Sequence, residues 1–343
     1  MSKPFLILSM DGGGLRGIVP VLILQKIEAI TGKRIQEMFH LLAGTSTGGL
    51  IACALSVSDD GTKPLYNLQD VANMYINHGK EIFPPAPKDI YQKLIGKLDS
   101  LFSPDYSPKG LDAILTQMFA QRTMKNCMVP IMACSYDLKN NEPVFFKSRY
   151  TAGDHADASL HDICRATSAA PTYFPAYEMH YDCKDRVCVD GGVYINNPGM
   201  AALTEISKFG KDPYYKTAPD FDFKDIFVLS LGTGHYNFDM SKPRYAKGGL
   251  VSWATHISDV MMQSVNASTI YECKEMLESD QYFRVSIEIG DSKYSDMADS
   301  SDATRNYLME QVATQVNNNP DVINKLTAFL KKAGAINPAN ATA

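Results

Sequence analysis

The chain has 343 residues, of which 45% are hydrophobic and 21% charged, and a formal net charge of −5 at pH 7. A chain of this length can bury a substantial core, and its acidic balance gives no general attraction to nucleic acids or anionic membranes. No apolar run approaches the ~18 residues of a transmembrane helix, and the opening run, Phe5–Met10, is too short for a signal peptide. These features predict a cytoplasmic protein, while peripheral membrane contact and export without a cleaved signal stay open.

The first predicted elements are a short buried strand, Phe5–Met10, and a helix that begins at Ile18. Between them, Gly12 to Gly17 has the spacing G-x-G-x-x-G, which fits two interpretations. One is a dinucleotide-binding turn, which requires an acidic residue at the end of the second strand. The other is an oxyanion hole, in which consecutive glycines direct several backbone N–H groups at one developing negative charge. The second strand leads into a serine turn instead of an acidic residue, which favours the oxyanion hole.

That serine turn follows the second predicted strand, Phe39–Ala43, and precedes a predicted helix, Leu50–Val57. Gly44-Thr45-Ser46-Thr47-Gly48 has the G-x-S-x-G pattern of a nucleophile elbow, a sharp turn between strand and helix. The two glycines lack the Cβ atoms that would clash in so tight a turn. The helix N-terminus beneath the serine favours negative charge. An ordinary glycine-rich turn is the alternative.

A serine nucleophile needs a base, and both a histidine and an aspartate are candidates. Of the seven histidines, His235 is the best placed, because it follows the apolar strand Ile226–Leu231 at a glycine turn. Asp190 ends the strand Val187–Val189 and precedes Gly191 and Gly192, which can turn the chain away and aim the carboxylate into a crevice. A buried carboxylate of raised pKa can accept the serine proton directly. A turn or capping role for Asp190 is the alternative.

The alternation of strands and helices predicts an α/β fold, with a mostly parallel central sheet covered by helices on both faces. Residues 1–240 are expected to form the main domain, 241–334 a mostly helical part packed on it, and 335–343 a flexible tail. The remaining strands are predicted at Met128–Cys134, Pro143–Lys147 and Tyr282–Ile287, and the C-terminal helices at Leu250–Ser268, Thr304–Val316 and Val322–Ala333.

The seven cysteines are scattered, and no C-x-x-C pair or mixed Cys/His set has the spacing of a zinc site. No metal and no cofactor are therefore predicted. Cys183 and Cys188 could close a hairpin disulfide, although reduced thiols are the simpler expectation.

The segment 82–102 is a candidate membrane-contact element. A proline-rich stretch leads into a helical pattern with an apolar face and with Lys88, Lys93 and Lys97 on or beside the other face. The alternative, which we favour, is a helix whose apolar face packs on the core. No other basic patch supports a nucleic-acid partner.

Four motifs, in the same order, resemble those of the patatin-like phospholipases. They are Asp11-Gly12-Gly13-Gly14-Leu15-Arg16-Gly17, Gly44-Thr45-Ser46-Thr47-Gly48-Gly49, Ala169-Ala170-Pro171-Thr172-Tyr173-Phe174-Pro175 and Asp190-Gly191-Gly192-Val193 followed by Asn196-Asn197-Pro198. The resemblance runs from about residue 4 to at least residue 235. It implies a patatin-like three-layer sandwich.

The resemblance also implies a Ser-Asp dyad, with Ser46 as nucleophile and Asp190 as proton acceptor. Gly12, Gly13 and Gly14 would form the oxyanion hole, with Arg16 as a nearby positive charge. The implied substrates are acyl esters of phospholipids and related lipids, and no metal is required.

Two other functions stay open on the sequence alone. One is an esterase that acts on a neutral lipid or another acyl ester. The other is a non-catalytic storage or binding protein on the same scaffold.

Overall fold

The computed structural model describes residues 3–84, 105–150, 153–237 and 257–336. Within these ranges, one eight-stranded sheet has the order β5-β6-β3-β2-β1-β7-β8, and β4 pairs with β3. The strands are β1 Phe5–Met10, β2 Leu41–Thr45, β3 Ile131–Asp137, β4 Glu142–Lys147, β5 Tyr177–Tyr181, β6 Lys184–Asp190, β7 Ile226–Leu231 and β8 Tyr282–Val285.

The sheet is parallel at its centre and antiparallel at one side. Strands β3, β2, β1, β7 and β8 run parallel, whereas β4 and β6 run antiparallel to β3, and β5 runs antiparallel to β6. Every residue of β1, β2 and β7 is buried, as expected of parallel strands covered on both faces. The mostly parallel sheet predicted from the sequence is therefore confirmed.

Two hydrophobic cores cover the two faces of this sheet. In β1, Leu6, Leu8 and Met10 belong to the larger core, whereas Phe5 and Ile7 belong to the smaller one, because successive strand residues point to opposite faces. The described helices are α1 Ile18–Thr31, α2 Ile35–Met38, α3 Thr47–Ser56, α4 Leu68–Ile82, α5 Lys109–Phe119, α6 Gly153–Asp157, α7 Leu160–Thr167, α8 Gly199–Phe209, α9 Ile257–Met276, α10 Asp302–Val312 and α11 Pro320–Lys332. Helices α8 and α9 contribute to the smaller core, whereas α1, α3 and α4 contribute to the larger one. The result is a three-layer α/β arrangement.

The register of the central strands gathers three loops at one edge of the sheet. Met10 at the end of β1 pairs with Gly44 of β2 on one side and with Leu231 of β7 on the other. The carboxyl ends of parallel strands meet at the same edge, which is where open α/β sheets bind ligands. The glycine loop after β1 and the serine turn after β2 are therefore neighbours.

The predicted strands Phe5–Met10 and Ile226–Leu231 have the bounds observed in the structure, but the strand Tyr177–Tyr181 was missed. This strand forms a hairpin with β6 through Asp182 and Cys183, whose φ angles are 58° and 55°. Tight hairpins need positive φ at both central residues and usually carry glycine or asparagine there. The absence of such a signal concealed the hairpin. Among the described residues, no disulfide joins Cys183 to Cys188.

The C-terminal part packs against the same core. Leu308 of α10 and Leu326 of α11 are buried in the larger core, and β8 extends the sheet beside β7. Ala335 and Ile336, the first two residues of the predicted tail, are buried in this core. Residues 337–343, and the first part of the predicted helix Leu250–Ser268, lie outside the described residues.

Candidate active site

The turn after β2 holds Ser46 in a strained conformation. Its φ of 54° and ψ of −124° lie in a region that residues other than glycine rarely adopt, at a cost on the order of 1–3 kcal/mol. A Cβ atom on Gly44 would lie 2.1 Å from the Gly48 carbonyl, and one on Gly48 would lie 2.2 Å from the Met10 oxygen. Both glycines are thus required for the chain to turn this tightly against β1.

Hydrogen bonds from neighbouring segments hold the turn. The Ser46 N–H donates to Thr167 Oγ1 at 2.9 Å, and Thr45 Oγ1 donates to the Ile195 carbonyl at 2.7 Å. The hydroxyls of Thr47 and Tyr75 share a short hydrogen bond. The two threonines of the pentapeptide therefore anchor the backbone around the serine.

The structure places Asp190 at the level of Ser46, across one intervening strand. Thr45 pairs with Cys134 of β3, and the next residue of β3, Ser135, pairs with Asp190 of β6. The Asp190 N–H donates to the Ala169 carbonyl at 2.9 Å, which fixes the end of the strand. Gly191 permits this placement, because a Cβ atom there would lie 2.5 Å from the Cys134 carbonyl oxygen.

The Asp190 carboxylate is buried beside the Ser46 hydroxyl and accepts a hydrogen bond from the Gly192 N–H at 2.7 Å. Burial raises the pKa of Asp190 to about 6, and the Ser46 hydroxyl and the Gly192 N–H partly offset this rise because they favour the ionised form. A carboxylate with this pKa is a stronger base than an exposed aspartate and is still mostly ionised at neutral pH.

The three glycines after Asp11 are not equivalent. The Gly12 N–H donates to the Asn196 carbonyl at 3.0 Å, so this amide is already used within the protein. The N–H groups of Gly13 and Gly14 have no acceptor among the described residues, and both glycines line the cavity beside Ser46. A Cβ atom on Gly13 would lie 2.3 Å from Thr233 Oγ1.

Gly14 has a φ of 55°, and a Cβ atom there would lie 2.4 Å from the Met297 carbonyl oxygen. Arg16, predicted as a nearby positive charge, donates from Nη1 to the Ser295 carbonyl at 3.1 Å and is absent from the cavity lining.

An ion pair that the sequence analysis did not predict holds the start of the glycine loop. Arg284 of β8 contacts both oxygens of the buried Asp11 carboxylate, at 3.2 and 2.5 Å. The same guanidinium donates to Ser230 Oγ at 2.7 Å, and Asn197 Nδ2 donates to that hydroxyl at 3.2 Å. No local sequence pattern around Arg284 predicts this contact, because its partner is 273 residues away in the chain.

A cavity of about 340 Å³ contains Ser46 and Asp190 in its wall. Most of the lining is apolar, contributed by α3, α4, α5, α9 and the segment 170–174. The apolar lining residues are Leu15, Leu50, Met74, Ile82, Phe83, Leu111, Ala170, Pro171, Phe174, Val193, Ile257, Met261, Met262 and Met297.

His235, the alternative base, lies elsewhere. It is exposed, its backbone pairs with the segment around Glu288, and its side chain does not line the cavity. No other histidine of the described residues lines the cavity either, and His256 lies outside them. Asp190 is thus the carboxylate that the fold brings to the serine.

Of the segment 82–102, only Ile82, Phe83 and Pro84 belong to the described residues. Ile82 and Phe83 are buried in the larger core and line the cavity. The predicted basic amphipathic helix beyond them lies outside the described ranges. Within those ranges, no helix combines the length and apolarity that crossing a bilayer requires.

Comparison with known proteins gives consistent matches over most of the chain. The profile of a family described as patatin-like phospholipase matches residues 8–203. Patatin-like protein 1 of Arabidopsis thaliana is 32% identical over 323 residues, which cover 86% of this chain and 78% of that protein. Patatin-2-Kuras 4 of Solanum tuberosum is 29% identical over 328 residues, which cover 89% and 84%.

Among solved structures, VipD from Legionella pneumophila aligns with 91% of this chain and 67% of its own, at 12% identity. The TM-score of this alignment is 0.36. The family profile, in contrast, spans more than half of the chain and includes the glycine loop, Ser46 and Asp190. On this evidence the chain belongs to the patatin-like phospholipase family, a family of lipid acyl hydrolases.

Proposed function

We propose that this protein is a serine lipid acyl hydrolase of the phospholipase A or lysophospholipase type. It cleaves fatty-acyl esters of phospholipids or glycolipids through an acyl-enzyme on Ser46, with Asp190 as base. The observation that carries the proposal is the position of the Ser46 hydroxyl beside a buried carboxylate of raised pKa, in the wall of one apolar cavity.

In the first half of the reaction, Ser46 Oγ attacks the ester carbonyl carbon while Asp190 takes the hydroxyl proton. The negative charge that develops on the carbonyl oxygen is stabilised by the N–H groups of Gly13 and Gly14. Loss of one such donor costs about 3 kcal/mol of activation free energy in comparable sites. The tetrahedral intermediate then collapses, and Asp190 returns the proton to the departing alcohol oxygen.

In the second half, a water molecule attacks the acyl-enzyme while Asp190 accepts its proton. The C–O bond to Ser46 breaks, the serine hydroxyl is restored by the proton from Asp190, and the fatty acid leaves. The apolar cavity suits an acyl chain, because burial of each methylene contributes about 0.8 kcal/mol to binding.

Hydrolysis of phospholipid vesicles, followed by analysis of the lipid products, tests this proposal. We expect turnover by the wild type, losses of at least ~10³-fold in both Ser46→Ala and Asp190→Asn, and a decline in wild-type kcat/KM below about pH 6. Full activity in Asp190→Asn would contradict the dyad. Cleavage of soluble p-nitrophenyl esters but not of vesicles would indicate a different acyl substrate.

A further inference from the structure

The last residue of α7, Thr167, lies between the nucleophile turn and the neighbouring strand β3. Its hydroxyl oxygen accepts the Ser46 N–H at 2.9 Å, and the same hydroxyl donates to the Cys134 carbonyl at 2.5 Å. Thr167 is fully buried, so water does not compete for either contact. We propose that Thr167 is a positioning residue for the Ser46 nucleophile, an inference that rests on the proposed function.

The direction of the two hydrogen bonds follows from the chemistry of a hydroxyl. A threonine hydroxyl has one hydrogen to donate and two lone pairs that accept. Because the Cys134 carbonyl can only accept, it takes that hydrogen, and the Ser46 N–H must donate to a lone pair. Each bond polarises the hydroxyl in the sense that strengthens the other.

Through this contact, both members of the dyad are connected to the same short stretch of β3. Thr167 ties the Ser46 backbone to Cys134, and Asp190 pairs with the adjacent residue, Ser135. A shift of Ser46 relative to β3 would therefore also change its distance from Asp190. The Thr167 hydroxyl thus helps the strained turn to fix the distance between Ser46 and Asp190.

The contact also shows which backbone amide near the reacting serine is already used in a hydrogen bond. The Ser46 N–H is already bonded to Thr167, so it is not free to stabilise an oxyanion. This leaves the stabilisation to donors outside the nucleophile itself, such as the amides of Gly13 and Gly14. Thr167 thereby holds the serine without competing with the glycine loop for the oxyanion.

Both branches of the threonine side chain contribute to its placement. A Cβ atom built on Gly49 would lie 3.0 Å from Thr167 Cγ2, so the methyl group packs against the first turn of α3. Valine preserves this packing but removes the hydroxyl and with it both hydrogen bonds, whereas serine preserves the hydroxyl and removes only the methyl group. The two substitutions therefore separate the hydrogen bond from packing.

The test measures covalent labelling of Ser46 by a fluorophosphonate, in which the serine Oγ–P bond forms, the P–F bond breaks, Asp190 takes the proton and fluoride leaves. We expect Thr167→Val to lower the second-order labelling rate by ~10- to 100-fold, and Thr167→Ser to retain it within ~3-fold. In hydrolysis of a soluble ester, the loss in Thr167→Val should appear in kcat and leave KM nearly unchanged.

Thr31→Val is the matched control, because Thr31 is a buried threonine whose hydroxyl donates to the Ile27 carbonyl and accepts from the Lys33 N–H far from the site. It should label at the wild-type rate. If Thr167→Val does not fold, Thr167→Cys replaces it, because serine and cysteine both lack the methyl group and differ in acceptor strength. We then expect Thr167→Ser to react faster than Thr167→Cys.

Wild-type labelling in Thr167→Val, or an equal loss in Thr167→Val and Thr167→Ser, overturns the positioning role. The same holds for equal rates in Thr167→Ser and Thr167→Cys. Failure of the wild type to label at Ser46, mapped by mass spectrometry, has a different meaning. It overturns the proposed function itself, and with it this inference.

Discussion

Two residues carry unfavourable properties that the rest of the fold must offset. Ser46 adopts a left-handed backbone conformation, and Asp190 is a buried carboxylate whose charge has no cationic partner among the interactions that set its pKa. Both features oppose folding, and both are what a direct serine–carboxylate dyad requires. Both residues lie in the wall of the same apolar cavity, as a reactive serine and its base would.

The raised pKa of Asp190 predicts a specific pH dependence of stability. The folded-state pKa of about 6 exceeds the ordinary value of 3.8, so this group's contribution to stability is fully present below pH ~4 and is lost as the pH rises through about 6. Asparagine does not titrate. Asp190→Asn should therefore gain up to about 3 kcal/mol in free energy of unfolding, relative to wild type, between pH 4 and pH 7.

Urea unfolding of both proteins at the two pH values measures this change. Asp157→Asn, at an exposed aspartate, is the control, and its difference from wild type should vary by less than ~0.5 kcal/mol. A difference between Asp190→Asn and wild type that does not depend on pH would contradict the raised pKa.

At the scale of elements, the ends of β1, β2, β6 and β7 form the site, and a buried polar network fixes the loops that leave them. Arg284 of β8 lies at its centre, between Asp11 at the start of the glycine loop and the hydroxyl of Ser230. A buried carboxylate that loses its cationic partner is strongly unfavourable. The network thus connects the loop after β1 to β8, which lies two strands away in the sheet.

Arg284→Met should lower the free energy of unfolding by about 3–5 kcal/mol, because it leaves Asp11 buried and unpaired. The double substitution Asp11→Asn with Arg284→Met should be less destabilised than Arg284→Met alone. Denaturant unfolding measures both. Lys325→Met breaks the exposed pair with Asp321 and should cost less than ~1 kcal/mol. A double variant less stable than Arg284→Met would contradict this account.

At the scale of the whole molecule, the cavity beside Ser46 is assembled from segments across the chain, from the glycine loop to Met297. Helices α3, α4, α5 and α9 and the segment 170–174 all contribute to it. An apolar cavity of about 340 Å³ next to the nucleophile predicts that acyl-chain length controls turnover.

Ala170→Phe should fill part of this cavity and lower kcat/KM for long-chain esters by ~10-fold or more relative to an acetate ester. The comparison uses p-nitrophenyl esters of increasing chain length. Ala201→Phe enlarges a half-exposed alanine of α8 away from the cavity and should leave the chain-length profile unchanged. Equal losses on short and long esters in Ala170→Phe would show that the cavity does not hold the acyl chain.

Much of the fold followed from local patterns, and the parts that did not have identifiable causes. The fully apolar strand Phe5–Met10 was predicted with its observed bounds because buried parallel strands read as continuous hydrophobic runs. The edge strand Tyr177–Tyr181 was missed because its residues alternate in exposure and its hairpin turn has no glycine. The sequence pattern of an edge strand is therefore less restricted than that of a central strand.

The amino-acid sequence alone indicates where the chain must turn tightly and which side chains lie at those turns. Gly44, Gly48 and Gly191 are required by close backbone approaches, and such local steric demands are visible in a motif. Three properties are visible only in the folded chain: the Gly12 amide is already hydrogen-bonded, Thr167 contacts Ser46, and burial raises the pKa of Asp190. These properties depend on hydrogen-bond distances and desolvation between segments far apart in the chain, and no local pattern encodes them.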